Sequence, residues 1–64
     1  MSTAPLLTAR EVAKLLGMSV RWVQLHASGQ YRPHIPCVRL GERSVRFRHE
    51  DIARFIEQQL ERAA

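Results

Sequence analysis

Two predicted helices that are joined by a turn of only three residues, 17–19, most constrain the fold of this chain. Thr8 and Glu11 have the T-x-x-E spacing of a capping box, in which each side chain bonds the other residue's backbone N–H at the start of a helix. Gly17 suits the left-handed position that ends a helix, and Ser19 is a second N-cap residue. So short a connection favours two crossing helices, the helix-turn-helix arrangement, over an antiparallel pair.

Residues 38–48, VRLGERSVRFR, predict a two-stranded β-hairpin. Apolar and polar side chains alternate with period two, and residues 41–44 form the predicted tip. Because alternate side chains of a strand point to opposite faces, we expect one face to pack on the core and the other to be cationic. The expected core-facing residues are Val38, Leu40, Val45 and Phe47.

The C-terminal segment predicts a third helix with one apolar stripe. Glu50 and Asp51 lie in its first turn, where the helix dipole favours acidic side chains. The stripe consists of Ile52, Phe55, Ile56 and Leu60. We expect the small core to use the whole stripe, which predicts a monomer in solution.

The predicted fold is mainly α with a small β-hairpin, a winged helix-turn-helix. It is a single domain over residues 1–64 with an ordered core at about residues 6–62. The loop 30–37 carries Pro33 and Pro36 and is predicted to be neither helix nor central strand. The predicted helices cover residues 9–16, 20–28 and 50–62.

Chain length and cysteine content limit the possible functions. A chain of 64 residues buries only about 60% of its unfolded surface, so we expect no deep catalytic cleft and no enzyme. Cys37 is the single cysteine, which excludes an internal disulfide and fits a reducing cytoplasm. The sequence has neither a recognisable secretory signal nor a membrane-spanning run.

Charge is divided unequally along the chain. Residues 1–48 carry eight Lys/Arg and two acidic residues, a net charge of +6, whereas residues 49–64 have a net charge of −2. The sequence pI is about 10.7. This asymmetry predicts that one face of the protein binds a polyanion, and nucleic acid is the leading candidate.

The second predicted helix has a face suited to the major groove. Val20, Val23 and Ala27 are expected to face the first helix. The opposite face mixes groups that can bond base edges or touch a thymine methyl, the alternative being an ordinary solvated surface. Trp22, at the boundary, is expected to pack under the hairpin or the 30–37 loop more readily than on DNA. The candidate DNA-binding residues are Ser19, Arg21, Gln24, Leu25 and Ser28.

The hairpin is a candidate DNA-binding wing. Its cations are all arginine, whose planar donors suit phosphate oxygens and narrow minor grooves. The alternative is a charge pattern that keeps an edge ribbon soluble. The candidate wing residues are Arg39, Arg43, Ser44, Arg46 and Arg48, with Arg39, Arg46 and Arg48 expected on one outer face and Arg43 at the tip.

No metal or cofactor site is expected. The spacing of the possible ligands matches no familiar zinc pattern, and Cys37 is predicted to be a small packing residue. The possible ligands are His26, His34, Cys37 and His49.

LLTAREVAKLLGMSVRWVQLHASG followed by VRLGERSVRFRHEDIARFI resembles the excisionase-like, MerR-type helix-turn-helix family over about residues 6–60. The matching features are a Leu-Thr-x-x-Glu-x-Ala start, a Leu-Gly-x-Ser turn, an arginine-rich wing with glycine at its tip and a final Asp-hydrophobic helix. The loop 30–37 departs from the family pattern because it is longer than the usual link to the wing.

The resemblance implies a protein that binds repeated sites in attachment-site DNA, bends that DNA and directs an integrase toward excision of phage, prophage or plasmid DNA. Family members also include small prophage regulators and DNA-packaging terminase subunits. Because the sequence has no long dimerisation helix or assembly domain, an excisionase is the expectation. A small transcriptional regulator, or a protein-interaction adaptor with the same fold, remains the alternative.

Overall fold

The structure, a computed structural model, describes residues 5–42 and 44–63, with side chains through residue 60. Arg43 therefore lies outside the described residues. The fold class is confirmed, since three helices accompany one two-stranded antiparallel ribbon. The elements are α1 (Ala9–Leu16), α2 (Val20–Ala27), β1 (Val38–Arg39), β2 (Val45–Arg46) and α3 (His49–Ala63).

Local caps fix α1, the turn 17–19 and α2, which together we call the helix-turn-helix unit. The capping box is confirmed: Thr8 Oγ1 accepts from the backbone N–H of Glu11 at 3.1 Å, and the Glu11 carboxylate accepts from that of Thr8 at 2.8 Å. Gly17 adopts φ 69°, which lets the N–H of Met18 close the helix end on the carbonyl of Ala13 at 2.9 Å. The predicted bounds of α1 are confirmed, and α2 ends one residue earlier than predicted.

One small core joins the elements. Phe47 and Ile35 are its largest fully buried side chains, and each lies outside the helices. The burial of Ile35 holds the 30–37 loop to the core, whereas Tyr31 in the same loop is half exposed. The buried core consists of Leu7, Val12, Ala13, Val23, Ala27, Ile35, Phe47, Ile52 and Phe55.

The register of the ribbon differs by one residue from the predicted one. Val38 pairs with Arg46, and the N–H of Leu40 donates to the carbonyl of Ser44 at 2.7 Å, so the tip has three residues instead of four. Paired residues share a face, and a one-residue shift turns the side chains of one strand over.

The expectation of one apolar face on the ribbon is therefore wrong. Val45 and Phe47 face the core as predicted, but Val38 and Leu40 lie on the outer face. Val38, paired with Arg46, is half-buried, and Leu40 is 53% exposed. Arg39, paired with Val45, lies on the opposite face from Arg46, so the arginines do not form one outer row.

A backbone bridge from the start of the chain determines where the ribbon sits. The N–H of Leu7 donates to the carbonyl of Phe47 at 2.7 Å, and the N–H of Phe47 donates to the carbonyl of Leu7 at 2.8 Å. His49 adds a bond from Nε2 to the carbonyl of Pro5 at 3.0 Å. These contacts place Phe47 at the base of the ribbon in the core, and they connect sequence positions 40 or more residues apart.

The helix α3 uses only part of its apolar stripe in the core. Ile52 and Phe55 are buried, but Ile56 is 45% and Leu60 is 72% exposed. The argument for a monomer, that the core uses the whole stripe, is therefore wrong. Among the described helices, none combines the length and the apolar character needed to cross a bilayer.

Candidate nucleic-acid interface

The first two turns of α2 present two polar side chains to solvent. Arg21 and Gln24 are exposed, and three residues apart on a helix they lie on the same side. Among the described residues, no carboxylate lies within ion-pair distance of Arg21. A free guanidinium beside a free amide can bond the edges of neighbouring base pairs.

Two apolar residues of α2 exchange their expected environments. Leu25 was expected to face water and is instead half-buried, whereas Val20 was expected to face α1 and is 36% exposed. The buried face is centred on Val23, His26 and Ala27. Val20, at the first position of the helix and one turn before Gln24, is therefore the more accessible apolar group.

The two candidate serines at the ends of α2 already act as caps. Ser19 Oγ accepts from the N–H of Trp22 at 3.0 Å and so starts α2. Ser28 Oγ donates to the carbonyl of Leu25 at 2.6 Å and accepts from the N–H of Gln30 at 3.3 Å. Because the Ser28 hydroxyl already donates its proton to the end of α2, it is less available to bond a base than Arg21 or Gln24 is.

His26 is a structural residue that the sequence interpretation missed. It is 8% exposed and stacks on Trp22 with ring centroids 3.9 Å apart. Its Nδ1–H donates to the carbonyl of Pro33 at 2.8 Å. The available signal was its spacing, since His26 follows Val23 by three residues on the buried side of the helix.

The 30–37 loop is tied to the end of α2 through the backbone of His26. The carbonyl of His26 accepts from the N–H of Ile35 at 3.2 Å and from Nδ1 of His34 at 3.1 Å. Cys37 Sγ contacts the carbonyl of Ala27 at 3.7 Å and packs on the core, in agreement with its predicted packing role. Trp22 also lies on this side, stacked on the histidine that holds the loop.

The ribbon of β1 and β2 with its tip, residues 38–46, which we call the wing, carries one free arginine among its described residues. Arg39 is exposed, and no described carboxylate lies within ion-pair distance of it. Arg46 is half-buried, and its Nη1 donates to the carbonyl of Val45 at 2.9 Å. Ser44 is exposed at the end of the ladder.

Arg48 belongs to the start of α3 more than to the wing. Its guanidinium forms ion pairs with Glu50 and, at 3.7 Å from Nε, with Asp51. These carboxylates offset its charge, so it offers a phosphate less attraction than Arg39 does.

The family model described as "Helix-turn-helix domain" matches residues 6–60, most of the chain. The chain belongs to the helix-turn-helix domain family. No curated protein and no solved structure matches it significantly. Membership of this helix-turn-helix family assigns sequence-specific binding to double-stranded DNA.

In a helix-turn-helix domain, the second helix lies in the major groove and its N-terminal residues contact base edges. Here that helix is α2, and Arg21 and Gln24 lie in its first two turns. The helix-turn-helix domain thus exposes two candidate elements for DNA binding, the N-terminal half of α2 and the wing. Among the described residues, no three His, Cys, Asp or Glu side chains are grouped to hold a metal ion.

Proposed function

We propose that this helix-turn-helix domain is an excisionase, a recombination directionality factor that binds and bends attachment-site DNA and directs an integrase toward excision. The observation that carries the proposal is the pairing of a recognition helix with a projecting basic wing on one small body. Two such elements can occupy a major groove and the adjoining minor groove. The helix-turn-helix family includes excisionase-like proteins, which supports this choice.

In this role, α2 and the wing make different kinds of contact with DNA. Arg21 and Gln24 discriminate between base pairs, since bidentate contacts from Arg to guanine and from Gln to adenine are the common specific ones. Arg39 and Arg46 contact phosphates, which fixes orientation and adds affinity with little sequence preference. Ser44 adds a hydroxyl donor beside them.

Bending is the step that turns binding into directional control. Bending a site of 20–30 base pairs by 40–90° costs about 1–6 kcal/mol. Contacts made only when the duplex bends must offset that cost, and a wing separate from the recognition helix can supply them. A curved attachment site then holds the integrase in the arrangement needed for excision.

The proposed setting is the bacterial cytoplasm, where a phage or prophage genome is excised without any catalysis by this chain. Its partners are attachment-site DNA with repeated sites, an integrase and further copies of the chain on neighbouring sites. Arg43, in the wing tip, is proposed to join the wing contacts, although it lies outside the described residues.

The test is excision in vitro by the integrase of the same phage or prophage, with and without the protein, together with a footprint on the attachment-site DNA. We expect a footprint of repeated sites and an excision yield that depends on the protein. Arg21→Ala is expected to lose both, while Arg54→Ala, a matched change of an exposed arginine on α3, keeps both. If the footprint falls on a promoter and the integrase works equally in both directions with or without the protein, a small transcriptional regulator is the better assignment.

A further inference from the structure

Leu40 is an exposed leucine at the last hydrogen-bonded position of the wing. Its side chain is 53% exposed, and its backbone N–H donates to the carbonyl of Ser44 at 2.7 Å. Gly41, which follows, has a φ of +104°, a conformation that turns the chain away into the tip. Leu40 therefore belongs to the hydrogen-bonded part of the ribbon and not to the tip.

Apart from Val38, which is half-buried two residues earlier on the same strand, the side chains around Leu40 on the outer face of the wing are polar. By the register of the ladder, Ser44 lies directly opposite Leu40 and Arg46 lies diagonally across from it. Exposure rises from Phe47, which is fully buried at the base of the wing, to Ser44 and Leu40, which are exposed. The wing therefore projects from the core and carries a leucine near its far end.

The place of Leu40 distinguishes it from the other exposed leucines. Single exposed leucines are common on protein surfaces, and Leu15 and Leu60 are 60% and 72% exposed. Leu40, however, lies on the element that carries Arg39 and Arg46. A ribbon that served only to bring cations to phosphates would gain from a polar side chain at this position.

We propose that Leu40 inserts between two base pairs from the minor groove and kinks the duplex, an inference that rests on the DNA bending in the proposed function. Apolar wedges such as leucine unstack a base step and kink DNA by about 20–90° toward the major groove, often beside arginine. Arg46 lies on the same outer face as Leu40 and attracts the phosphates that border the groove, so this face can meet the groove. The expected position is a pyrimidine–purine step, which unstacks most easily.

A wedge affects shape more than affinity. Burying the leucine between bases is favourable and unstacking the step is unfavourable, so the two effects largely offset each other. We therefore expect Leu40→Ala to lose most of the bend and to change affinity by less than about tenfold. A wing that acts through its arginines alone favours a narrow minor groove, whereas a wedge widens it.

The experiment uses the full chain and a duplex that the protein selects from a random-sequence pool. Energy transfer between dyes at the two duplex ends measures the bend at saturating protein for the parent, Leu40→Ala and Leu15→Ala. We expect the parent and Leu15→Ala to bend the duplex by about 20–90° and Leu40→Ala to lose at least about half of that bend. Circular dichroism checks that the variants fold alike.

A second measurement detects the insertion itself. 2-Aminopurine, a fluorescent adenine analogue, is placed in turn at each step of the segment that the wing protects in the footprint. Unstacking raises its fluorescence, so one step is expected to brighten with the parent and with Leu15→Ala but not with Leu40→Ala. A phased A-tract series is expected to report a bend toward the major groove at that step.

Several results would overturn the wedge: no bend by the parent, an equal bend by Leu40→Ala at saturation, or no step that brightens. Loss of excision by Leu40→Ala with an unchanged bend would instead place Leu40 against a protein partner. The proposed function is tested separately. If Leu40→Ala bends the duplex as the parent does and still drives excision, the wedge fails and the excisionase assignment stands. If the bend depends on Leu40 but the parent leaves integrase direction unchanged, the wedge stands and the excisionase assignment fails.

Discussion

The helix-turn-helix unit and the wing are held by interactions of very different range along the chain. In the helix-turn-helix unit, both N-caps act over three residues, Thr8 with Glu11 and Ser19 with Trp22. In the wing, each strand has two residues, and the ribbon is placed by Phe47, which bonds Leu7 forty residues away. The first unit has several local bonds, so the loss of one leaves the others in place, whereas the wing depends on one distant anchor.

The largest expected effect is on that anchor. Phe47→Ala removes a fully buried ring and leaves a cavity where the wing meets the core, and we expect a loss of about 3–5 kcal/mol in the free energy of unfolding. Since a chain of this size has a total stability of only about 3–10 kcal/mol, much of the protein should unfold. Urea denaturation followed by circular dichroism measures the change. Leu15→Ala, at an exposed position, is the control. A comparable loss of stability in this variant would contradict the special role of Phe47 as the anchor of the wing.

The next effect distinguishes the contribution of α2 to DNA binding from that of the wing. Arg21→Ala and Gln24→Ala are each expected to reduce discrimination between the selected site and scrambled DNA by about 1–3 kcal/mol. Arg39→Ala is expected to weaken both complexes alike and to reduce the slope of log K against log salt by about 1. Fluorescence anisotropy titrations at several salt concentrations give both quantities. If Arg39→Ala changes discrimination as much as Arg21→Ala does, the proposed division of work between α2 and the wing is wrong.

A smaller effect tests whether local interactions hold the helix-turn-helix unit together. Ser19→Ala removes the oxygen that accepts from the N–H of Trp22, and we expect about 1 kcal/mol of lost stability. Because the caps and core of α1 are untouched, the fold should persist. Thermal unfolding measures the loss. Ser19→Asp is the matched control and should recover most of it; a loss as large as that of Phe47→Ala would contradict the local character of this unit.

The smallest effect concerns the capping box of α1. Hydrogen bonds from the backbone N–H and the side chain of Thr8 lower the pKa of Glu11 below its usual value of about 4.5, with burial opposing them slightly. A carboxyl whose pKa is lowered by folding adds stability above its unfolded pKa, and this is lost as pH falls through the folded value.

Glu11→Gln is therefore expected to lower the melting temperature slightly at pH 7. The difference from the parent should shrink as the pH falls below about 4.5. Melting curves at a series of pH values measure this difference. A difference that grows toward acid pH would contradict a pKa of Glu11 that is lowered by folding.

The sequence by itself determined the features whose physics is local. The capping box, the left-handed Gly17 and the cap at Ser19 each act within a few residues, so they determine where α1 ends and α2 begins whatever surrounds them. They were sufficient to predict the helix-turn-helix unit and, with the charge distribution, a protein that binds DNA. The exposed Arg21 and Gln24 follow from the helical period alone.

Only the tertiary structure decided the register of the wing and the faces of its side chains. Alternation of apolar and polar residues fits either of two registers, and the choice between them depends on the bridge from Leu7 and on the burial of Phe47. That choice turned Leu40 outward and separated Arg39 from Arg46. Similarly, helical spacing places His26 on the buried side of α2, but it cannot reveal that Pro33, seven residues later, returns to accept its proton.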